Sequence, residues 1–255
     1  MQRIRKKNSK YSMDNVSREN IINNFIQELQ KYGYEVNDLQ INQFMSYYDF
    51  LIEWNNKFNL TAITEFEEVI YKHFLDSVSI IKIVDLKKYT SLIDVGTGAG
   101  FPGIPIKIMN PHMHVTLLDS LQKRVNFLNT VIDELQLDNI NALHGRAEDY
   151  AKDKEYREAY DICVSRAVAN LSSLSELCIP FVRVNGMFIS YKSDKAMEEF
   201  ENAKKAIQIL GGNDNADIKC FDINGNTRTL LGIRKEKPTS MKYPRKAGTP
   251  VKNPL

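Results

Sequence analysis

The chain has 255 residues, of which 43% are hydrophobic and 26% are charged, and its formal net charge at pH 7 is +2. This length allows one large domain, or one domain with a small appended element, and the composition is ordinary for a soluble globular protein. No apolar run approaches the length that crosses a bilayer, and the basic residues 1–11 are not followed by the apolar stretch of a secretory signal. We therefore expect a cytoplasmic protein that does not bind a membrane.

The cysteines and histidines do not have the spacing of metal ligands. The three cysteines, Cys163, Cys178 and Cys220, are far apart and form no C-x-x-C pair. This pattern predicts neither a zinc site nor a disulfide framework, and Cys163 and Cys178 are most simply core residues. The four histidines have no metal-ligand spacing either, and His112 and His114, two residues apart, would point to opposite faces of a strand or loop. We expect no metal site.

The first third of the chain has helical periodicity. Ser17 is placed to cap a first helix whose apolar residues recur at helical spacing, and Gly33 is placed to end it. Residues 38–56 predict a second helix, and residues 66–84 predict a third amphipathic segment. This region has no strand pattern, and we expect it to pack on, or over, the edge of the α/β region C-terminal to it.

From residue 91 onward, strand and helix patterns alternate. Strands are predicted at residues 92–95, 114–118, 140–144, 161–165 and 186–191, and helices at 102–108, 121–135, 171–182 and 195–210. Such alternation indicates parallel strands joined by right-handed helical crossovers. Two further strands, 217–223 and 227–233, flank Asn224-Gly225-Asn226, and the Asn-Gly pair is a strong hairpin signal. The sequence therefore predicts an α/β fold with a mostly parallel seven-stranded sheet and a C-terminal antiparallel hairpin.

Positive charge is concentrated at the two ends of the chain. We divide the chain into a basic arm expected to be flexible (1–16), a helical extension (17–88), an α/β domain (89–237) and a basic C-terminal tail (238–255). Terminal charge runs are commonly solvated tails without a role, but basic arms also suit a partner that presents phosphates. Both interpretations stay open.

Residues 91–103, SLIDVGTGAGFPG, predict a buried strand, a glycine-rich loop and a helix that can begin at Pro102. Glycines suit such a loop because it uses positive φ angles and because a ligand approaches the backbone only where no Cβ intervenes. The spacing from Asp94 through Gly96 and Gly98 to Gly100 differs from the G-x-G-x-x-G pattern that seats a pyrophosphate.

A second carboxylate, Asp119, ends the next predicted strand, roughly 20 residues after the loop, where a carboxylate that accepts ribose hydroxyls is expected. Together, the loop and Asp119 describe an adenosine pocket without a phosphate clamp. This favours S-adenosylmethionine over NAD as the cofactor. A dinucleotide site and a glycine turn without a ligand are the alternatives.

Polar residues come after each predicted strand at its carboxyl end, where open α/β sheets bind ligands near the point at which strand order reverses. They are Asp94 with its loop, Asp119, Arg146-Ala147-Glu148, Ser165-Arg166 and Tyr191-Lys192. Arg166 alone would fit an ordinary surface arginine equally well. We expect these residues to converge on one crevice.

With those residues in place, the sequence resembles the RsmG (also called GidB) family of bacterial 16S ribosomal RNA guanine-N7 methyltransferases, over nearly all of residues 17–235. The matching stretches are WNNKFNLTAI (54–63), HFLDS (73–77), IDVGTGAGFPGIPIKI (93–108), LLDSLQKRVNFL (117–128), RAE (146–148) and SRAVANL (165–171). The resemblance implies a Rossmann-like class I methyltransferase that uses S-adenosyl-L-methionine.

The resemblance also implies a substrate and a set of cofactor contacts. The substrate would be the N7 atom of guanine 527 in the 530 loop of 16S rRNA, on free RNA or on a small-subunit ribonucleoprotein. The family's cofactor contacts fall on Gly96, Phe101, Ala147, Glu148 and Arg166. Nothing is carried over to the basic arm or the tail.

Methylation at N7 makes few chemical demands on the protein. Because S-adenosylmethionine carries a sulfonium leaving group, the enzyme mainly positions sulfur, methyl and nucleophile. Guanine N7 has a free lone pair, so no catalytic acid or base is assigned. Arg166, Lys192 and Arg124 are candidates for RNA phosphate contacts or base orientation. We expect His73 to be a satisfied interior histidine, and Phe101 to contact the cofactor rather than only pack at the helix start.

Two other classes of function stay open: a methyltransferase for a protein or small molecule, and a non-catalytic RNA-binding protein with a vestigial cofactor fold. The basic termini and the absence of a large apolar lid disfavour a small-molecule substrate. The intact loop glycines and Asp119 disfavour the second class. We expect a monomer.

Overall fold

The computed structural model describes residues 15–166, 169–193 and 195–255. The basic arm expected at residues 1–16 lies outside these ranges except for its last two residues. The helices are α1 (Asn15–Lys31), α2 (Asp38–Phe58), α3 (Phe66–Val69), α4 (Asp76–Val78), α5 (Gly103–Met109), α6 (Gln122–Glu134), α7 (Ala147–Tyr150), α8 (Leu171–Cys178), α9 (Ala196–Ile209) and α10 (Thr249–Lys252). In the part of the chain described, no helix combines the length and apolarity needed to span a membrane.

Seven strands form one sheet in the order β3-β2-β1-β4-β5-β7-β6. They are β1 (Ser91–Val95), β2 (His114–Asp119), β3 (Ile140–His144), β4 (Tyr160–Ser165), β5 (Val182–Lys192), β6 (Asp217–Ile223) and β7 (Asn226–Arg234). The first five are parallel, whereas β7 runs antiparallel to both β5 and β6. Strand order reverses between β1 and β4. The predicted fold class is confirmed.

The hairpin turn is confirmed, but β5 begins earlier than the sequence indicates. Asn224 and Gly225 have φ angles of 48° and 75°, as the Asn-Gly signal predicts for a tight hairpin. Strand β5 starts at Val182, and its register against β4 shifts between Tyr160 and Ile162. The predicted strand started at residue 186, whereas the chain passes through Asn185-Gly186 within β5.

Successive side chains along a strand point to opposite faces of the sheet, and each face packs against its own hydrophobic cluster. Leu92 lies in a cluster shared with α1, α2, α5 and α6, and its neighbour Ile93 lies in the cluster covered by α8 and α9. Cys163 and Cys178 are buried in the second cluster, as expected. The helical extension therefore packs on one face of the sheet, together with α5 and α6, and shares their core.

The extension differs from the prediction in two details. Helix α1 begins at Asn15, so the prediction of Ser17 as its N-cap is wrong. The third amphipathic segment contains a π-helical turn (Ile70–Leu75) between α3 and α4 and ends in a 3-10 turn (Ser79–Lys82). A π-turn shifts the subsequent side chains around the helix axis, and such turns are frequent at functional sites. Hydrophobic periodicity does not reveal it.

Much of the basic C-terminal tail packs against the α/β domain. The Arg157 guanidinium donates to the carbonyl oxygens of Thr239 (2.7 Å) and Tyr243 (2.9 Å). Arg245 forms a two-pronged ion pair with Glu176 of α8, whose side chain is fully buried. The chain beyond β7 is thus part of the folded unit.

Candidate active site

The glycine-rich loop lies at the carboxyl end of β1, beside the point where strand order reverses. Gly96, Gly98 and Gly100 have φ angles of 73°, 62° and 97°, which non-glycine residues rarely adopt. At Gly100 a Cβ would also lie 2.6 Å from the Tyr47 hydroxyl. The loop conformation thus requires glycine. A helix follows the loop, as the sequence predicts, but it begins at Gly103, and Pro102 is its N-cap rather than its first residue.

The Asp94 carboxyl lies beneath the loop and holds it in shape. Its Oδ2 atom accepts from the Thr97 hydroxyl at 2.6 Å and from the Gly103 N–H at 2.8 Å. Complete burial raises the pKa of this carboxyl to about 7. Asp94 does not line the cavity beside the loop, so the structure gives it a supporting position, and a direct cofactor contact stays a prediction.

This cavity, termed here the first cavity, has a volume of about 540 Å³ and opens at the carboxyl ends of β1, β2 and β3. Of the predicted cofactor residues, Gly96, Asp119, Ala147 and Glu148 line it. Gly98, Gly100, Phe101 and Arg166 do not. Cavities of this volume accommodate small-molecule cofactors, and the glycine loop with one carboxylate at its edge suits an adenosine.

The two carboxylates of the first cavity are both engaged with main-chain N–H groups. Asp119 is almost fully buried, and it accepts from the N–H groups of Gly98 and Leu121, each at 2.9 Å. Arg124 donates to the same carboxylate at 3.2 Å. Glu148 accepts from the Gly248 N–H at 2.7 Å. Arg124 was a candidate for contacting RNA, and the structure places it against Asp119.

A second cavity, of about 450 Å³, lies at the carboxyl ends of β4 and β5. It is lined by Lys72, His73, Asp76, Arg166, Tyr191, Lys192, Ser193, Glu199, Arg228, Thr229 and Leu230. The Lys192 ammonium group donates to the Ala169 carbonyl at 2.8 Å and pairs with Glu199 at 2.8 Å. Ala169 itself lines the first cavity, so the two cavities are neighbours. The predicted site residues are therefore divided between two neighbouring cavities.

Arg166 links the end of β4 to the helical extension. Its guanidinium donates to the Asp76 carboxylate at 2.9 Å and to the Lys72 carbonyl at 3.1 Å, and it lies 5.0 Å from the centre of the Phe101 ring. Asp76 also pairs with Arg228 at 3.2 Å. Sequence reasoning did not assign a role to Asp76, although it lies in the HFLDS stretch that carries the resemblance.

His73 is a buried neutral histidine with both ring nitrogens engaged. Its Nδ1 atom lies 3.1 Å from an Arg166 nitrogen, which only donates, so Nδ1 accepts and the proton lies on Nε2. Nε2 is 2.9 Å from the Thr61 hydroxyl oxygen. Burial, and then the positive charge of Arg166, lower the pKa of His73 to about 3. The prediction of a satisfied interior histidine is confirmed.

The Phe101 ring packs in an aromatic cluster rather than in a cavity wall. It stacks on His73 with ring centres 4.4 Å apart, and the Tyr47 ring lies 5.3 Å away. This is the arrangement in which Phe101 packs at the helix start. A contact between Phe101 and the cofactor stays a prediction.

In the residues described, no group of three or more His, Cys, Asp or Glu side chains is arranged to hold a metal ion. The groups that the structure brings together at the carboxyl edge of the sheet are glycines, carboxylates and cationic side chains.

Comparisons with known proteins agree with this geometry. A family model described as rRNA small subunit methyltransferase G matches residues 40–229. A ribosomal RNA small subunit methyltransferase G of Lachnoclostridium phytofermentans is 54% identical over 91% of this chain and 96% of its own length. A protein of the same name from Bacillus licheniformis is 48% identical over 92% of this chain and 98% of its own length.

Solved structures show the same fold at low sequence identity. An O-methyltransferase of Bacillus cereus, solved in complex with SAH, matches with a TM-score of 0.53 at 13% identity and covers 74% of this chain and 91% of its own. TYW2 of P. horikoshii, in complex with MeSAdo, has a TM-score of 0.50 at 15% identity and covers 64% of this chain and 62% of its own. On the strength of the family match and of the curated relatives, the chain belongs to the rRNA small subunit methyltransferase G family.

Proposed function

We propose that this protein transfers a methyl group from S-adenosylmethionine to N7 of a guanine in small-subunit ribosomal RNA. The observation that carries the proposal is the pair of cavities at the carboxyl edge of the sheet. The first cavity has the glycine loop and a buried carboxylate, and the second has an excess of cationic side chains. One suits an adenosine, and the other suits a nucleotide of RNA.

The first cavity would hold the cofactor. At Gly96 the wall of this cavity is bare main chain, because glycine has no side chain. Asp119 supplies the carboxylate expected to bind the ribose hydroxyls. When bound, S-adenosylmethionine supplies a methyl group on a sulfonium, which needs positioning rather than activation. Arg124 orients Asp119 through their ion pair. Ala147 and Glu148 also line this cavity.

The second cavity would receive the acceptor nucleotide. Its wall contains four cationic side chains, those of Lys72, Arg166, Lys192 and Arg228, and two carboxylates, so two positive charges are in excess. Ion pairs with the carboxylates hold Arg166, Arg228 and Lys192 in fixed orientations. Fixed cations favour a phosphate backbone, and a planar guanidinium also offers a surface on which an unstacked base can lie.

The titratable groups around the second cavity favour an acceptor that needs no deprotonation. Both nitrogens of His73 are engaged, and Asp76 pairs with two arginines. The Tyr191 hydroxyl donates to the Ser77 carbonyl at 2.6 Å, and burial raises its pKa well above the usual value. Exocyclic amines and ribose hydroxyls must lose a proton. Guanine N7 has a lone pair ready for attack and fits such a site.

The test is to incubate the protein with labelled S-adenosylmethionine and either free 16S RNA, small-subunit particles or cell lysate, and then to map the methylated position. Label at N7 of one guanine in 16S RNA is the expected result, and the comparison of RNA with particles identifies the true substrate. Label found only in protein or in small molecules would contradict the proposal.

A further inference from the structure

The C-terminal segment, residues 239–255 and termed here the strap, forms part of the first cavity. Ala247, Gly248, Val251 and Lys252 line the cavity together with residues at the ends of β1, β2 and β3. The strap lies beyond the residues that match the family model, which end at 229. Neither its charge nor its sequence pattern assigned it to the cofactor site.

Buried polar contacts fix the strap in place. The Arg245 main-chain N–H and guanidinium both donate to Glu176, which is fully buried on α8, at distances between 2.7 and 3.1 Å. The Ser173 hydroxyl, also on α8, donates to the Pro250 carbonyl at 2.8 Å. A buried carboxylate without its arginine is strongly unfavourable. The strap is therefore anchored to α8 in the folded protein.

The strap meets the cavity on the side of α7. Its Gly248 N–H donates to Glu148 at 2.7 Å, so strap and α7 are joined at the cavity wall. In the adjoining helical turn, Pro250 is buried, whereas Val251 remains 55% exposed and lines the cavity. An apolar side chain exposed in the wall of a cavity is surface that a ligand can cover.

We propose that the strap completes the cofactor site, with Val251 packing against the nucleobase of S-adenosylmethionine and the Gly248–Glu148 hydrogen bond holding α7 in position. Two observations indicate that the strap contacts the nucleobase end of S-adenosylmethionine rather than its methionine end. Asp119, at the end of β2, marks the ribose. The strap is bonded to Glu148 of α7, the helix that follows the edge strand β3, and none of its residues lines the second cavity, where the methyl group would be delivered. This inference rests on the proposed function, because it takes the first cavity as the cofactor site.

The test compares two substitutions in the strap, Val251→Asp and Met241→Asp. Both residues are apolar and exposed, Met241 by 71%, but only Val251 lines the first cavity. Binding of S-adenosylmethionine and of uncharged S-adenosylhomocysteine is measured by titration calorimetry. We expect Val251→Asp to weaken both ligands by roughly tenfold or more, as for a mismatched group in an apolar pocket. We expect Met241→Asp to leave both affinities unchanged.

A second measurement does not depend on a variant. Amide hydrogen exchange of wild-type residues 247–253 should slow when S-adenosylhomocysteine is added, while exchange of residues 240–243 stays the same. If the wild type binds the ligand, but Val251→Asp binds it equally well and strap exchange does not change, the inference is wrong and the proposed function stands. If the wild type binds neither ligand, the proposed cofactor site itself is wrong.

Discussion

The two cavities are built in different ways. The first is lined mainly by residues at, or just beyond, the carboxyl ends of β1, β2 and β3, and strap residues form another part of its wall. The second is held by ion pairs between distant parts of the chain, such as Arg166 with Asp76, 90 residues apart. A binding site built from strand ends can be found from local sequence patterns. A site built from long-range charge pairs becomes visible only when the chain is folded.

The difference in construction separates two kinds of effect. Substitutions in the first cavity should change cofactor affinity with little effect on RNA. Substitutions in the second should change stability or methyl transfer with little effect on cofactor affinity.

The largest effect is expected at Asp76. Its side chain is 5% exposed and pairs with Arg166 and Arg228. Asp76→Ala should lower the free energy of unfolding by about 3–5 kcal/mol, because it leaves two partly buried guanidinium groups without their partner. Urea denaturation measures this. Asp49→Ala removes the exposed pair with Arg18 and should change stability by less than about 1 kcal/mol. If Asp76→Ala and Asp49→Ala lowered the free energy of unfolding equally, the ion pairs of Asp76 would not have the structural role given to them here.

Asp119→Ala tests the first cavity. Cofactor affinity should fall by about 1.5–3 kcal/mol, the usual contribution of hydrogen bonds to a charged group. RNA affinity should stay the same, since the carboxylate lies in the first cavity and not in the second. Calorimetry with S-adenosylhomocysteine and filter binding of RNA measure the two quantities. Wild-type cofactor affinity in this variant would show that the ribose is not bound there.

Arg124→Ala should have a smaller effect of the same kind. Because the Arg124 side chain is 34% exposed and reaches Asp119, its removal should weaken cofactor binding by less than about 1 kcal/mol. Lys123, its neighbour on α6, points to the Phe58 carbonyl, and Lys123→Ala is the matched control. If Arg124 instead contacts an RNA phosphate, the slope of RNA affinity against salt should fall by roughly 0.7–0.9, and cofactor affinity should not change.

The basic arm and the exposed lysines Lys242 and Lys246 of the strap should affect RNA binding only. Deleting residues 1–14 should reduce the salt dependence of RNA affinity by roughly 0.7–0.9 for each phosphate that the arm binds, with no change in cofactor affinity. Deleting the C-terminal tail is a poor counterpart, since it removes the partner of the buried Glu176. The double variant Lys242→Gln/Lys246→Gln is the better counterpart, because it removes two exposed positive charges and leaves the rest of the tail in place. Unchanged slopes in both proteins would favour solvated tails without a role.

The sequence predicted the sheet well, because each of its signals is local. Alternating strand and helix patterns, the glycine loop and the Asn-Gly turn each depend on a few adjacent residues. The start of α1, the early start of β5 and the π-helical turn at Ile70–Leu75 were not predicted. Tertiary packing overrides local propensity at such places.

For the candidate site, the sequence indicated the crevice but not the partners of its side chains. Arg166 and Lys192 were expected to face a substrate, and the structure shows each of them bound to a carboxylate, Asp76 and Glu199. The tail was considered only as a charged arm. Its packing depends on one buried pair, Arg245 with Glu176, and nothing in the local pattern around either residue indicates the other.

The central claim is that methyl transfer needs no general base, and the pH dependence of the single-turnover rate tests it. With a pKa of about 3, His73 does not titrate between about pH 6 and 8.5. Asp94 does, because burial raises its pKa from 3.8 to about 7. Its contribution to stability is complete below about pH 4 and is lost as pH rises through about 7, so ionisation of Asp94 lowers the free energy of unfolding as pH rises.

The rate should therefore be measured against pH, at saturating cofactor, in the wild type, in Asp94→Asn and in Arg166→Ala. We expect a nearly flat profile for Asp94→Asn between about pH 6 and 8.5, and any change in the wild type near pH 7 should be a fall. Arg166→Ala should be slower without a new pH dependence, since arginine does not titrate in this range. A rate that rises through a pKa near 7 in both the wild type and Asp94→Asn, with chemistry rate-limiting, would reveal a general base and contradict transfer to N7.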